Sequence, residues 1–174
     1  MPTTLLKLFN HESPRRGSNF VTRKIIEAAV KIKKNKQSKL FLGNLYAKRD
    51  WGYAKEYVEA MWKMLQQKKP DDFVISTNKS YTVKFFVEKT FSKLNIKIIW
   101  KGKGLKEKGI DSRTGKVLVE IDPFYFRPNE VNYLKGNNSK AKKLLSWSPK
   151  TSIKKLIDIM IEEELKLLNN KNIF

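Results

Sequence analysis

The strongest constraint on the fold is the alternation of short apolar runs with longer segments whose apolar residues recur every three or four positions. Short apolar runs are typical of buried strands, and the longer spacing is that of amphipathic helices. The predicted strands are residues 5–9, 40–42, 73–76, 96–100 and 116–121. The predicted helices are residues 21–33, a segment capped by Asp50 and ended by Pro70, a segment opened by Thr82, residues 139–145, and one beginning at Thr151. This alternation predicts one compact α/β unit over residues 1–174.

The composition supports a folded chain and excludes several kinds of site. With 174 residues, 40% of them hydrophobic, the chain is long enough to bury a core. No apolar run approaches the length of a membrane span, which predicts a soluble cytoplasmic protein. The sequence has no cysteine and only one histidine, so we expect neither a disulfide nor a metal site.

The formal charge of +20 suggests an alternative function, that of a basic module that binds anions or nucleic acid. The 37 basic residues are 31 lysines and six arginines, and the lysines are spread over the whole chain. Nucleic-acid readers instead use arginine forks and exposed aromatic residues. A dispersed charge of this kind is usually a solvated surface, and steep salt dependence of RNA or DNA binding would favour the alternative.

Local catalytic and phosphate-binding motifs are incomplete in this sequence. The spacing from Gly104 to Gly109 is that of a phosphate loop, but Ile110 follows where that motif needs a lysine. None of the six tyrosines has a lysine four residues later. The Tyr-x-x-x-Lys pair of short-chain dehydrogenases is therefore absent.

Residues 8–24 form a polar connection between a predicted strand and a predicted helix, with a loop predicted over 10–19. Such connections at the carboxyl ends of strands bind ligands in α/β proteins. The adjacent Arg15 and Arg16 suit a phosphate group. Taken alone, these residues fit a ligand site and a solvated loop equally well.

The order of short blocks along the chain carries a family resemblance. The most specific blocks are Asn10-His-Glu-Ser-Pro-Arg-Arg-Gly17 and Arg49-Asp-Trp-Gly52. The others are Leu42-Gly-Asn44, Met61-Trp62, Asp72-Phe-Val-Ile75, Glu107-Lys-Gly-Ile-Asp111, Tyr125-Phe-Arg-Pro128 with Glu130, and Trp147-Ser-Pro149. Over residues 8–168 the chain resembles the GDP-mannose 4,6-dehydratases, which are extended short-chain dehydrogenases.

The resemblance implies the carboxyl-terminal portion of that fold: the last Rossmann strands with the small α/β substrate-binding domain. The amino-terminal NADP-binding half would be missing. In that family the enzyme, a lyase, converts GDP-mannose to GDP-4-keto-6-deoxymannose with bound NADP, and a tyrosine, a lysine, a glutamate and a hydroxyl-bearing residue perform the catalysis. All these groups lie upstream of the matching region, so no catalytic residue is expected here. The fragment is predicted to be inactive alone.

The resemblance also implies which residues bind ligands. Residues expected to contact NADP are His11, Arg15 and Arg16, with the Arg15-Arg16 loop reaching a neighbouring subunit's cofactor in a homo-tetramer. Residues expected to contact the sugar nucleotide are Asn10, Lys24, Asn44, Arg49, Arg127 and Glu130. Of these, Arg49 and Arg127 are placed near the diphosphate, and Glu130 near a ribose hydroxyl. The expected partners are GDP-mannose and, in one alternative, a separate amino-terminal chain.

Structural explanations exist for several of the same residues. A lone histidine such as His11 is more often structural, Asp50 fits a helix cap, and Trp51 and Trp62 fit the core. Arg49 and Arg127 fit surface ion pairs. Lys7 departs from the family because it would lie inside a central strand, and Phe124 stands where a basic residue is usual. A decayed product with an unpaired sheet edge is a third possibility.

Overall fold

The structure is a computed structural model that describes residues 5–126 and 131–170. These residues form ten strands and five α-helices. The strands are β1 (Leu6–Leu8), β2 (Asn10–Glu12), β3 (Leu40–Leu42), β4 (Lys48–Arg49), β5 (Trp51–Tyr53), β6 (Phe73–Ile75), β7 (Tyr81–Thr82), β8 (Ile98–Lys101), β9 (Lys108–Asp111) and β10 (Val117–Ile121). The helices are α1 (Val21–Lys33), α2 (Ala54–Leu65), α3 (Val83–Lys93), α4 (Ser139–Leu145) and α5 (Ile153–Asn170). None of these helices is long and apolar enough to span a membrane.

The strands form one larger sheet and three small ones. The larger sheet has the order β3-β10-β9-β8, with β3 parallel to β10 and the other pairs antiparallel. The small sheets pair β1 with β6 and β2 with β5 in parallel, and β4 with β7 antiparallel. Because β3 and β10 run in the same direction, the loops after Leu42 and Ile121 leave the same end of the sheet.

Two apolar clusters stabilise the fold. The larger one packs α1, α3 and α5 together with the four-stranded sheet and with Trp51. The smaller one packs Tyr57 of α2 and the residues around Trp147 on the β1–β6 pair. Both α1 and α3 are followed by an asparagine with positive φ, Asn35 and Asn95, a residue type that tolerates the left-handed turn at a helix end.

The predicted α/β alternation is confirmed, and α1 and α4 have the predicted bounds. Thr82 caps α3 as expected, because its side chain accepts a hydrogen bond from the Phe85 amide at 3.0 Å. Five strands were missed, namely β2, β4, β5, β7 and β9. Strand β2 lies in the predicted loop 10–19, and β9 lies in a segment rich in glycine and lysine. All five have two to four residues and include polar ones or glycine, so they lack the apolar pattern that marks a strand.

The prediction for α2 is wrong in three respects. Asp50 does not cap this helix, since Trp51–Tyr53 forms β5 in between and Tyr53 precedes the first turn. The helix ends at Leu65, before Pro70. Trp51 is buried as predicted, whereas Trp62 lies on the surface rather than in the core. The buried face of α2 consists instead of Tyr57, Ala60 and Met64.

Candidate functional site

The two most specific sequence blocks lie side by side in the structure. Strand β2 pairs in parallel with β5, so that Asn10 is opposite Trp51 and His11 is opposite Gly52. The polar corner before α1 and the Arg49-Asp50-Trp51-Gly52 segment thus form one surface, although about 40 residues separate them in the chain. This pairing brings Asn10 and His11 to the strand that directly follows Arg49.

Asp50 fixes that surface to two other loops. Its carboxylate is fully buried and accepts hydrogen bonds from the Thr77 amide at 2.8 Å and the Thr77 hydroxyl at 2.6 Å. Its second oxygen accepts from the Gly136 amide at 3.2 Å. A buried carboxylate needs such donors to offset its lost hydration. Asp50 is therefore an anchor that joins β5 to the loop after β6 and to the segment before α4.

Glu12 organises the loop that carries the paired arginines. It is 1% exposed, accepts a hydrogen bond from the Thr22 hydroxyl at 2.6 Å, and lies 3.4 Å from Nε of Arg16. Burial raises the pKa of Glu12, and the Thr22 bond and the charges of Arg16 and His11 oppose that rise. The guanidinium of Arg16 lies 3.5 Å from the centroid of the Phe20 ring. Arg16 is thereby held against the start of α1, whereas Arg15 is exposed.

His11 lies over a fully buried tyrosine. Its ring centroid is 5.6 Å from that of Tyr57, and its Nδ1 is 3.1 Å from the carbonyl of Phe9. The Tyr57 hydroxyl has no hydrogen-bond partner among the described residues. Burial raises the pKa of Tyr57, and the nearby carboxylates of Asp50, Glu56 and Glu12 raise it further. Tyr57 therefore stays a neutral phenol at physiological pH.

A second group of predicted residues surrounds the segment Pro123–Tyr125. The Lys24 ammonium lies 3.3 Å from the centroid of the Tyr125 ring, a cation–π contact. Gly43 packs on the same segment so closely that an added Cβ would lie 2.1 Å from the Tyr125 carbonyl oxygen. Asn44 follows directly. Its Oδ1 accepts from the amides of Tyr46 and Ala47, and its Nδ2 donates to Asn132 at 3.1 Å.

The predicted site residues thus fall into two groups on the strand ends and the loops that follow them. Asn10, His11, Arg16 and Arg49 belong to the β2–β5 surface, and Lys24 and Asn44 belong to the Tyr125 surface. Arg49 is half-buried, and its Nη1 donates to the Lys48 carbonyl at 3.0 Å. The predicted contacts of Arg127 and Glu130 lie outside the described residues, directly after the Tyr125 segment.

Sequence reasoning missed the roles of Thr22, Tyr57 and Tyr125 at this site. Thr22 and Tyr57 are buried partners of predicted residues. Thr22 lay in the polar connection 8–24 and Tyr125 in a quoted block, whereas Tyr57 lay in neither. Two cavities of about 250 and 910 Å³ lie elsewhere, one lined by α3 and α5 and one by the α1–β3 connection and the β9–β10 turn. The candidate site therefore rests on the pairing of its blocks rather than on a cavity.

Known structures share this fold at low sequence identity. RMD from Pseudomonas aeruginosa complexed with NADPH aligns over 93% of this chain and 48% of that chain, with a TM-score of 0.75 and 14% identity. A dTDP-glucose 4,6-dehydratase from Bacillus anthracis in complex with NAD covers 92% of this chain and 44% of that chain, with a TM-score of 0.71 and 16% identity. The chain thus has the α/β fold of about half of each of these structures.

The sequence comparisons then identify the family. The model of the family described as GDP-mannose 4,6 dehydratase matches residues 1–160. This chain belongs to that family. The GDP-mannose 4,6 dehydratase of Dictyostelium discoideum is 53% identical over 94% of this chain and 46% of its own length. The human GDP-mannose 4,6 dehydratase is 50% identical over 92% of this chain and 43% of its own length. The chain therefore spans about half the length of these relatives.

Proposed function

We propose that this chain is the substrate-holding part of a GDP-mannose 4,6-dehydratase, the enzyme that forms GDP-4-keto-6-deoxymannose from GDP-mannose. Identity of about half the residues over more than nine-tenths of the chain carries this proposal. The pairing of β2 with β5 supports it, because the blocks that specify the family meet there. The chain would act as one α/β unit.

The substrate is proposed to bind across both groups of residues. Lys24, Arg49 and Arg127 supply positive charge for a nucleoside diphosphate, and charge-assisted hydrogen bonds to phosphate are among the strongest polar contacts in proteins. The Lys24 ammonium lies 3.3 Å from the centroid of the Tyr125 ring. On binding of the substrate, it would leave this ring and contact a phosphate oxygen. Asn10 and Asn44 would hold neutral polar groups of the ligand, and Glu130 a ribose hydroxyl.

The cofactor is proposed to be NADP, held on this side by His11, Arg15 and Arg16. The residues present fit an anionic group, since Arg15 is exposed and Arg16, whose Nε lies 3.4 Å from the Glu12 carboxylate, is only partly buried and has further guanidinium donors. When bound, NADP would accept a hydride from the sugar and return it. The exposed Arg15 is the residue we assign to a neighbouring subunit's cofactor in a homo-tetramer.

The proton transfers of this reaction are assigned to residues outside this chain. The sequence contains no Tyr-x-x-x-Lys pair, and Tyr57 is unsuitable as a base because burial and three carboxylates keep its phenol protonated. A general base must also reach a proton on the substrate, and Tyr57 is fully buried. We therefore expect no turnover of GDP-mannose by the isolated chain supplied with NADP. Formation of the keto sugar by that sample would contradict this expectation.

Calorimetric titration of the chain with GDP-mannose tests the proposed substrate site. Each of Arg49→Ala and Arg127→Ala should weaken binding by about tenfold or more, because a hydrogen bond to a charged group contributes about 1.5–3 kcal/mol. Arg113→Ala is the matched control, since Arg113 lies in the β9–β10 turn at the other end of the sheet. Equal titrations of all three variants and the unmodified chain would reject the assigned site.

A further inference from the structure

The two ring nitrogens of His11 have different surroundings. Its Nδ1 lies 3.1 Å from the carbonyl oxygen of Phe9. A carbonyl oxygen can only accept a hydrogen bond, so Nδ1 of the neutral ring must carry the proton. The Nε2 atom then has a lone pair, and it has no hydrogen-bond partner among the described residues. Neutral His11 therefore offers a hydrogen-bond acceptor at Nε2.

The ring of Tyr57 holds the imidazole in this orientation. The two ring centroids are 5.6 Å apart, and the ring planes differ by 35°. Tyr57 itself has little freedom to move, because it is fully buried, contacts Trp147 edge-on and lies directly against Gly52. Rotation of a histidine about its Cβ–Cγ bond is otherwise soft. The contact with Tyr57 therefore decides which ring atom of His11 faces the Phe9 carbonyl.

The support comes from the tyrosine ring and not from a hydrogen bond or an ion pair. The Tyr57 hydroxyl has no hydrogen-bond partner among the described residues, so it does not bind the imidazole. The carboxylates of Glu12 and Asp50, which lie close to Tyr57, accept hydrogen bonds from threonines. The Phe9 carbonyl is thus the group that selects the protonated nitrogen of His11.

We propose that Tyr57 is a positioning residue whose ring keeps His11 in the Nδ1–H form, so that Nε2 accepts a hydrogen bond from the bound cofactor. The donor is an amide or hydroxyl group of the dinucleotide, because a phosphate oxygen can only accept. The phosphate groups are left to Arg15 and Arg16. This inference rests on the cofactor site of the proposed function, and it adds the direction of the hydrogen bond at His11.

Nitrogen-15 NMR tests the assigned form of the ring, because the chain has one histidine and its imidazole signals are therefore unambiguous. At about pH 9, where an ordinary imidazole is neutral, the unmodified chain should show a protonated Nδ1 and an unprotonated Nε2. Tyr57→Leu should shift both signals toward the averaged values of a ring that exchanges between its two neutral forms. Tyr57→Phe keeps the ring and should preserve the original signals. Phe91→Leu is the matched control, since it removes a fully buried ring from the larger apolar cluster.

A protonated Nε2 in the unmodified chain would overturn the proposal even if Tyr57→Leu does not fold. Unchanged signals in folded Tyr57→Leu, or the same change in Phe91→Leu, would overturn it as well. Addition of NADP should shift the Nε2 signal as that atom accepts a hydrogen bond, whereas protonation of Nε2 on binding would contradict the assigned direction. Signals that depend on Tyr57 but do not respond to NADP would reject the proposed cofactor site and still support the positioning role of Tyr57.

Discussion

Gly52 positions the candidate site because no larger residue fits beside Tyr57. A Cβ at this position would lie 2.3 Å from Cε2 of the tyrosine ring, and the ring is fully buried. The pairing of β2 with β5, in which His11 lies opposite Gly52, therefore depends on this contact. The glycine is needed for space, since its φ is not positive.

Gly52→Ala should lower the free energy of unfolding by about 1–3 kcal/mol, the usual cost of overpacking a rigid core. Urea denaturation monitored by tryptophan fluorescence measures it. The same substitution in a Tyr57→Leu background should cost clearly less, because the smaller side chain leaves room for the new methyl group. Equal costs in both backgrounds would show that the ring contact is not the cause.

Glu12 should make stability depend on pH. Burial raises its pKa above the ordinary value of 4.5, so the folded protein holds the proton more tightly than the unfolded chain. The resulting stability is present below pH 4.5 and is lost as the pH rises through the folded-state pKa. Relative to Glu12→Gln, which cannot ionise, the unmodified chain should lose stability between pH 4 and pH 7.

Urea denaturation at both pH values checks this prediction, with Glu163→Gln as the control at a side chain that is 44% exposed. A stability difference between the unmodified chain and Glu12→Gln that does not change with pH would contradict it. The hydrogen bond from Thr22 should survive in the variant, because an amide oxygen also accepts.

Residues whose partners are distant in the chain were the hardest to predict from sequence. Asp50 was assigned to a helix cap because an aspartate shortly before a helical pattern is a common cap. Its actual donors, Thr77 and Gly136, are 27 and 86 residues away. Local patterns hold no information on such contacts. By contrast, Thr82 was assigned correctly, since its partner Phe85 is three residues along the chain.

Helices α1 and α5 are joined by a buried ion-pair triad. Arg23 donates from Nε to Glu27 at 2.8 Å and from Nη2 to Glu164 of α5, and all three side chains are largely shielded from solvent. Arg23→Met should cost about 3–5 kcal/mol, because the buried carboxylate of Glu164 and the partly exposed one of Glu27 would lose the arginine. Lys93→Met, which removes the exposed pair with Asp158, should cost about 0–1 kcal/mol. Thermal unfolding of both variants compares them, and similar losses would contradict the assigned burial.

The face of α2 shows where periodicity is insufficient. Val58, Met61, Trp62 and Leu65 form the more apolar stripe, yet the structure buries Tyr57, Ala60 and Met64 instead. A helical period identifies a face but not the element that covers it. In α1, α3 and α5 the apolar stripe is the buried face, so the same reasoning gave correct cores.

At the scale of the whole molecule, the larger sheet has basic residues at both of its ends. The part of the candidate site around Tyr125 lies where β3 and β10 end, at Gly43 and Asp122. The groove of about 910 Å³ lies where the same strands begin, and its lining includes Lys33, Arg113 and Lys116. Substitutions in this basic groove therefore leave the proposed substrate residues untouched.

This separation allows the basic-module alternative to be tested directly. A net charge of +20 attracts polyanions whatever the arrangement of the charges, so the chain should bind heparin with strong salt dependence. The comparison is between two triple variants in which neutral residues replace basic ones. One changes Lys33, Arg113 and Lys116 of the groove, and the other changes the exposed Lys142, Lys143 and Lys155 on α4 and α5. If only the total charge matters, both variants should elute from a heparin column at an equally lowered salt concentration. GDP-mannose should not compete in either case. A much larger effect of the groove triple, together with unchanged GDP-mannose titration, would instead show a dedicated anion site and favour the second function.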